Sequence, residues 1–426
     1  MKFYLMNRRI TYVLIVLIFI VHGLLSSSTT LFAARIAKIT LKAEEHIREN
    51  TPVFISLDSL PVSIKGCSFR LVKIAGSQRI PVPTQIEMGN PAELWWLLPE
   101  SLHAGEKQVY ELTPGKPVDA PSVQIRTDEK TLEIHQTTRK VLSYYHGLLA
   151  PPPEKSQLYT RSGFIHPIWS PKGIVLTRIH PGDHIHHLGF WNPWTKAKFE
   201  GRKVDFWNLG EGQGTVRFAK FISTTTGPVF GGFEALQQHI DLTAPGDEKV
   251  ALNEVWEVRV YAQGNRKNGY WMWDFTTTQT CATESPITIL KYHYGGFGFR
   301  ATADWNDKNS HYLTSEGKTR ADGNGTRARW CNVFGKTKEG PAGILFLSHP
   351  NNHEHPEPMR IWPQGDVYFG FCPVVYGDWE MLPHETYVRR YRVIVYDGTI
   401  SADEAELFWQ SFANPPKIKV TVQPLQ

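Results

Sequence analysis

Cysteine is scarce in this chain: Cys67, Cys281, Cys331 and Cys372 are its four, and no two form a C-x-x-C pair. That spacing excludes a zinc ribbon or a dithiol redox site. Scattered thiols fit disulfides in an exported protein or small buried side chains equally well. Catalytic signatures are also missing, since no G-x-S-x-G, H-E-x-x-H or Walker loop occurs. Gly210-Glu211-Gly212-Gln213-Gly214 is glycine-rich, but Thr215-Val216-Arg217-Phe218 follows. A strand supplies no helix N-terminus for a phosphate, so the glycines read as a turn that exposes Glu211. No fixed-period repeat is evident, which argues against a propeller or solenoid. After Leu25 no apolar run approaches the roughly 18 residues of a membrane-spanning helix.

Excess charge is lacking as well. Lys2, Arg8 and Arg9 precede an apolar run from Ile10 to Leu25, then Ser26-Ser27-Ser28 and Ala33-Ala34. That is the order of a secretory signal, read here over residues 1–34, and its removal implies a periplasmic or extracellular protein with no membrane contact. It takes three cations and no acid, so the formal +5 falls to +2. A balanced surface offers no electrostatic case for nucleic acid.

What is present reads as strand. Glu254–Tyr261 alternates, with Trp256, Val258 and Val260 on one face; Tyr387–Tyr396 does the same, with Val388 and Ile394 opposed to Arg389. Ser170-Pro171-Lys172-Gly173 has type I turn order, and 34 Gly with 29 Pro leave little room for long helices. One short helix is expected near the end, where Ser401 and Glu404 have capping-box spacing and Pro415 stops it. The Pro-rich stretch Thr113–Pro121 suggests a boundary between a small β-domain at about 35–115 and a larger one at about 120–415. The fold class is therefore all-β, a large antiparallel sandwich preceded by a small β-domain.

Arg178 to Trp194 carries the densest chemistry: four of the 17 histidines (His180, His184, His186 and His187), Arg178 and Asp183 fall within ten positions, with Trp191 and Trp194 beyond. Imidazole is the side chain best able to move a proton near neutral pH or to ligate a metal. As extended backbone, the segment would send His184 and His186 to one face and Asp183 and His187 to the other. A divalent metal on His184 and His186 is one reading, although Phe190 and Trp191 stand where a cupin places its carboxylate. Acid–base work by one histidine, its state set by Asp183 or Arg178, is a second. Histidines satisfied by turn backbone are a third. His349, where the strand Ile344–Leu347 ends, is a further candidate, while His353 and Glu354 read as a solvated loop. His293 and Arg300 flank the glycines of Tyr294-Gly295-Gly296-Phe297-Gly298 and could face a ligand. Indole faces pack against sugar rings, so Trp191, Trp194 and Trp362 are candidate saccharide contacts, with core filling as the alternative use.

Several of these stretches resemble a bacterial family of exported proteins catalogued as methane oxygenase PmoA. They are His166-Pro167 with Gly173 and Thr177-Arg178; Gly182-Asp183-His184-x-His186-His187; Val204-Asp205-Phe206-Trp207; Gly295-Gly296-Phe297-Gly298; His349-Pro350-x-Asn352 with His355-Pro356; and Tyr391-Arg392-Val393, spanning about 120–415. The resemblance implies a galactose-mutarotase-like supersandwich and an origin among polysaccharide-degrading bacteria. A methane monooxygenase membrane subunit is excluded by the missing apolar spans.

The expectation is an exported carbohydrate-active protein. Catalytic roles fall to His184, His186, His187, Asp183, His293 and His349, and substrate contacts to Arg178, Arg300, Trp191, Trp194, Glu211 and Trp362. The sequence shows no carboxylate pair placed for glycoside hydrolysis, which tilts the chemistry towards a lyase or isomerase acting on a saccharide, uronates included. No cofactor is expected apart from the alternative divalent metal. A non-catalytic saccharide-binding protein is the other alternative.

Overall fold

The computed structural model describes residues 36–60, 68–262 and 269–422. The expected signal segment and Cys67 lie outside them. Two eight-stranded antiparallel sheets dominate. One runs through Met359–Ile361, Tyr368–Phe371, Gly298–Arg300, Phe190–Trp191, Phe164–Ile168, Arg139–Tyr145, Thr131–Gln136 and Val123–Thr127. The other holds the long strands Gly214–Thr225, Phe230–Asp241, Lys249–Tyr261, Tyr270–Cys281 and Tyr387–Asp397, then Gly340–Ser348, Trp330–Thr337 and Ser310–Thr314.

The main core forms where alternating apolar residues of both sheets meet: Phe190, Phe299 and Phe369 from the first, Trp256, Val258, Trp273, Phe346 and Val393 from the second. Phe190 is fully buried, with ring centroids 4.8 Å from Phe297 and 5.0 Å from Phe275. Burying one such side chain stabilises by roughly 1.5–3 kcal/mol. Trp256, Val258 and Val260 face inward as their spacing predicts. Arg389 does lie opposite Val388 and Ile394, but its face is the core side. Its guanidinium donates to Asn192 Oδ1 (3.0 Å) and sits 4.6 Å from the Trp194 ring.

A second core lies between a five-stranded and a three-stranded sheet, built from Ile39, Leu41, Leu71, Trp96, Tyr110 and Leu112. The five-stranded sheet takes its edge strand from the far end of the chain, as Lys417–Val422 pairs antiparallel with Ala37–Lys42. The helix spans Ala402–Ala413, with both capping-box bonds formed between Ser401 and Glu404. Among the described residues no helix is long and apolar enough to cross a membrane.

Candidate functional site

The core-distal face of the first sheet carries the site. In its register Phe190 pairs with Phe299 and Phe299 with Phe369, and all three point to the core. Alternation sends Trp191, Arg300, Tyr368 and Arg360 to the other face. Gly298 lies beside Trp191 in that layer, and a Cβ there would stand 2.6 Å from the Trp207 ring. The missing side chain lets Trp207 and Trp191 pack, centroids 4.9 Å apart, as a floor.

The histidine segment lies over this floor and is not extended. His184 N–H donates to Pro181 O (3.0 Å) and His187 N–H to His184 O (2.9 Å), so two successive turns replace the expected alternation. Pro181 and Gly182 are turn formers, which is why strand geometry lost. His180 N–H to His187 O and Gly189 N–H to Arg178 O, both 3.0 Å, close the neck of the loop. Three imidazoles thereby gather: His184 lies 4.7 Å from His187, His186 4.8 Å from His187, and His184 5.6 Å from His186, between centroids.

An ion network braces the loop. Arg300, fully buried, donates through Nη2 to both oxygens of Asp183 (2.9 and 2.8 Å) and to Asp366 Oδ2 (2.6 Å). Arg178 pairs with the same Asp366 oxygen. Partial burial raises the Asp183 pKa, but the bonds from Arg300 and His184 outweigh it and hold the carboxyl down at about 2. A carboxylate only accepts, so the 2.9 Å contact puts a proton on His184 Nδ1. Arg300 Nη1 donates to His187 Nδ1 at 3.4 Å. Burial first, then the neighbouring His186 and Arg300, lower the His187 pKa far below the usual imidazole range.

His186 is different. Burial first, then His184, lowers its pKa to about 4. Neither of its ring nitrogens has a partner among the described residues. It opens on a cleft of about 480 Å³ together with His184, His187, Asn208, His293, Tyr294, Arg360, Trp362, Gln364 and Tyr368. Tyr294 hydroxyl and Asn208 amide exchange hydrogen bonds (3.0 and 3.3 Å), and burial raises the Tyr294 pKa to about 12. Half-buried Trp362 makes one wall, its ring 4.8 Å from His184 and 4.6 Å from the Arg300 guanidinium.

Of the expected site residues, the cleft unites His184, His186, His187, His293 and Trp362, while Asp183, Arg178 and Arg300 lie behind as its brace. Their charges answer one another, so the two arginines are not free to hold a substrate anion. Trp191 and Trp194 are both fully buried and cannot stack on a sugar. Trp191 supports His187 from below at 4.9 Å, and Trp194 donates to Gln279 Oε1 (3.0 Å) in another cluster. Glu211 is exposed, bonded to Gln213 Nε2 (3.1 Å) and absent from the cleft lining. His349 is not in the cleft either, because its strand ends where its ring packs on Phe412 of the helix (5.2 Å). His353 is no freely solvated side chain, since it stacks on Trp379 at 4.1 Å.

The metal alternative finds His184 and His186 edge to face at 73°. Among the described residues no group of three or more His, Cys, Asp or Glu side chains is placed to hold a metal ion. Arg360, Tyr294, Asn208 and Gln364 were not singled out from sequence. Alternation in Met359–Ile361, buried at both ends and half-buried between, puts Arg360 beside Trp362 and could have marked it.

Comparison with known proteins gives a family without a described activity. The model described as "Family of unknown function (DUF6807)" matches residues 131–410, which include every motif from His166 to Val393 quoted above. No curated protein matches. Among solved structures, the chain is similar to the heparan sulfate lyase HepC of Pedobacter heparinus, with 9% identity, a TM-score of 0.32, and coverage of 68% of this chain and 38% of that one. It is also similar to the GH36 α-galactosidase AgaB of Geobacillus stearothermophilus, with 10% identity, a TM-score of 0.32, and coverage of 64% and 41%. The chain thus spans about two fifths of the length of these structures.

Proposed function

Because the chain belongs to the family of unknown function DUF6807, its activity has to be read from the cleft, and we propose that it is an exported enzyme that moves a proton on a saccharide. Export rests on the N-terminal segment of the sequence. The observation that carries the chemistry is the cleft lining, which among the described residues holds four histidines and two tyrosines but no aspartate or glutamate. Glycoside hydrolysis by the usual route needs two carboxyl groups flanking the bond. Of the carboxylates behind the lining, Asp183 and Asp366 are held by Arg300 and Arg178, and Asp205 accepts from Asn208 Nδ2 and Thr195 Oγ1, both at 2.7 Å. Elimination or epimerisation needs a base and an acid instead, and this cleft has both.

His186 is the base. It is neutral at pH 7 because its pKa is about 4, and its nitrogens have no hydrogen-bond partner among the described residues. Tyr294, protonated up to about 12, is the acid. Trp362 offers a ring face to the sugar. In an elimination, His186 takes a proton from a sugar carbon and that C–H electron pair becomes the new double bond. The neighbouring C–O bond breaks, its electrons leave on oxygen, and the oxygen takes the Tyr294 proton. In an epimerisation the C–H electron pair stays on the carbon, which takes the Tyr294 proton from the other face while His186 keeps the one it removed.

A screen of native protein and His186→Ala against a glycan panel, read by mass spectrometry, tests this. The expected result is an unsaturated or epimerised product from the native protein, a loss of about 10²–10⁴-fold in the variant, and an acid limb of kcat/KM near pH 4 rather than 6.5. Addition of water across the bond would point to hydrolysis. Binding without turnover, unchanged in His186→Ala, would leave a saccharide-binding protein in place of the enzyme.

A further inference from the structure

The cleft has an imbalance of charge at one rim. Arg360 lines it, and among the described residues its side chain hydrogen-bonds only to the neutral Asn324 Oδ1 (3.2 Å). Among the described residues Arg360 forms no ion pair, unlike Arg178 and Arg300 behind the histidines or the surface pairs Lys249–Glu200, Arg217–Glu248 and Arg327–Glu354. Next to it, the ring of exposed His293 lies tilted against Tyr292, centroids 4.2 Å apart. Lys196 Nζ lies 3.8 Å over that same Tyr292 ring, also without a carboxylate partner among the described residues. Burial, then Arg360 and Lys196, lowers the His293 pKa, and no carboxylate contributes in the other direction. Asp378 lies nearby, where it accepts from the backbone N–H of Lys291 (2.6 Å).

A guanidinium on a concave aromatic surface with no counter-charge is half of a charge-assisted pair. We propose that Arg360, supported by Lys196 and His293, is an anion subsite, so that the saccharide entering the cleft is acidic and sets a carboxylate or sulfate group on Arg360. This rests on the saccharide reading of the cleft and narrows its substrate class. It also assigns Arg360 the role that the sequence suggested for Arg178 and Arg300, which are internally neutralised. A carboxylate held there would acidify the neighbouring C–H that an elimination must break.

Calorimetric titration with two matched probe pairs tests the subsite. One pair is an oligogalacturonate and its carboxyl-reduced form; the other is a sulfated galactan oligosaccharide and its desulfated form. The native protein is expected to bind the acidic member of one pair at least tenfold tighter than its neutral partner, and that pair identifies carboxylate or sulfate. Arg360→Gln should abolish the preference by weakening the acidic probe at least tenfold more than its neutral partner, Arg360→Lys should restore part of it, and Lys196→Gln should reduce it by a smaller factor. Melting temperatures of the variants within a degree or two of native exclude misfolding as the cause. Equal affinity within both pairs, or a preference that survives Arg360→Gln, overturns the subsite while leaving the saccharide reading intact. Absence of binding to all four probes overturns both.

Discussion

Arg300 does the most structural work of any single side chain near the cleft. Fully buried, it ties Asp183 at the tip of the histidine loop to Asp366 on the neighbouring loop and lies against Trp362. Arg300→Met would fill the volume but leave both carboxylates without their buried cation. Because Asp183 is 42% exposed, water recovers part of the loss, and the expected destabilisation is roughly 2–3 kcal/mol, below the cost of breaking a fully buried pair. Urea unfolding of the variant measures it, and a change within half a kcal/mol would mean the brace is idle. Residue identity was legible where chemistry was dense: four histidines in ten positions located the cleft. It failed where burial decided. Trp191 and Trp194 flank the histidines, yet their strand and loop turn them into the interior, while Trp362, far away in sequence, reaches the cleft. Arg360 escaped notice because a lone arginine in a strand becomes informative only when its missing partner can be seen.

Elements were read more securely than their neighbours. The helix Ala402–Ala413 starts where its capping box said, with Ser401 Oγ accepting from Glu404 N–H (3.2 Å) and Glu404 Oε2 from Ser401 N–H (2.8 Å). Ser401→Ala should cost about 1 kcal/mol. The expected signature is a lower urea midpoint with an unchanged slope, and an unaltered midpoint would show the cap contributes nothing. Strand alternation was equally legible in Lys249–Tyr261, where packing follows period 2. The histidine loop was misread as extended because three close imidazoles suggest a face, whereas Pro181 and Gly182 impose turns. The expectation that His349 joins the cleft rests on its strand end and on the motif His349-Pro350-x-Asn352, and neither fixes the side of the sandwich. Which strand ends share a side of the sandwich depends on long-range pairing that no local pattern contains.

For the whole molecule, buried neutral imidazoles set the response to acid. His166, His186 and His355 all have pKa values lowered to about 4, chiefly by burial. In the unfolded chain they take up protons near 6.5, which the folded protein refuses until about 4. The unfolded state therefore binds more protons in that window, and stability falls as pH drops from 6.5 towards 4. Melting temperature should decline by about 5 °C or more between pH 7 and 4.5. A flat profile would mean these histidines are already charged in the fold.

One feature of the whole molecule bears on how the protein is made. Ala37–Lys42 completes its pairing only with Lys417–Val422, about 380 residues later. At ribosomal rates of 5–20 residues per second, the first strand waits roughly 20–80 s for its last neighbour. Until then its outer hydrogen-bonding edge stays open to any extended segment nearby. The nascent chain thus carries a sticky flank while the roughly 380 residues between the two strands are made, and only the later strand seals it.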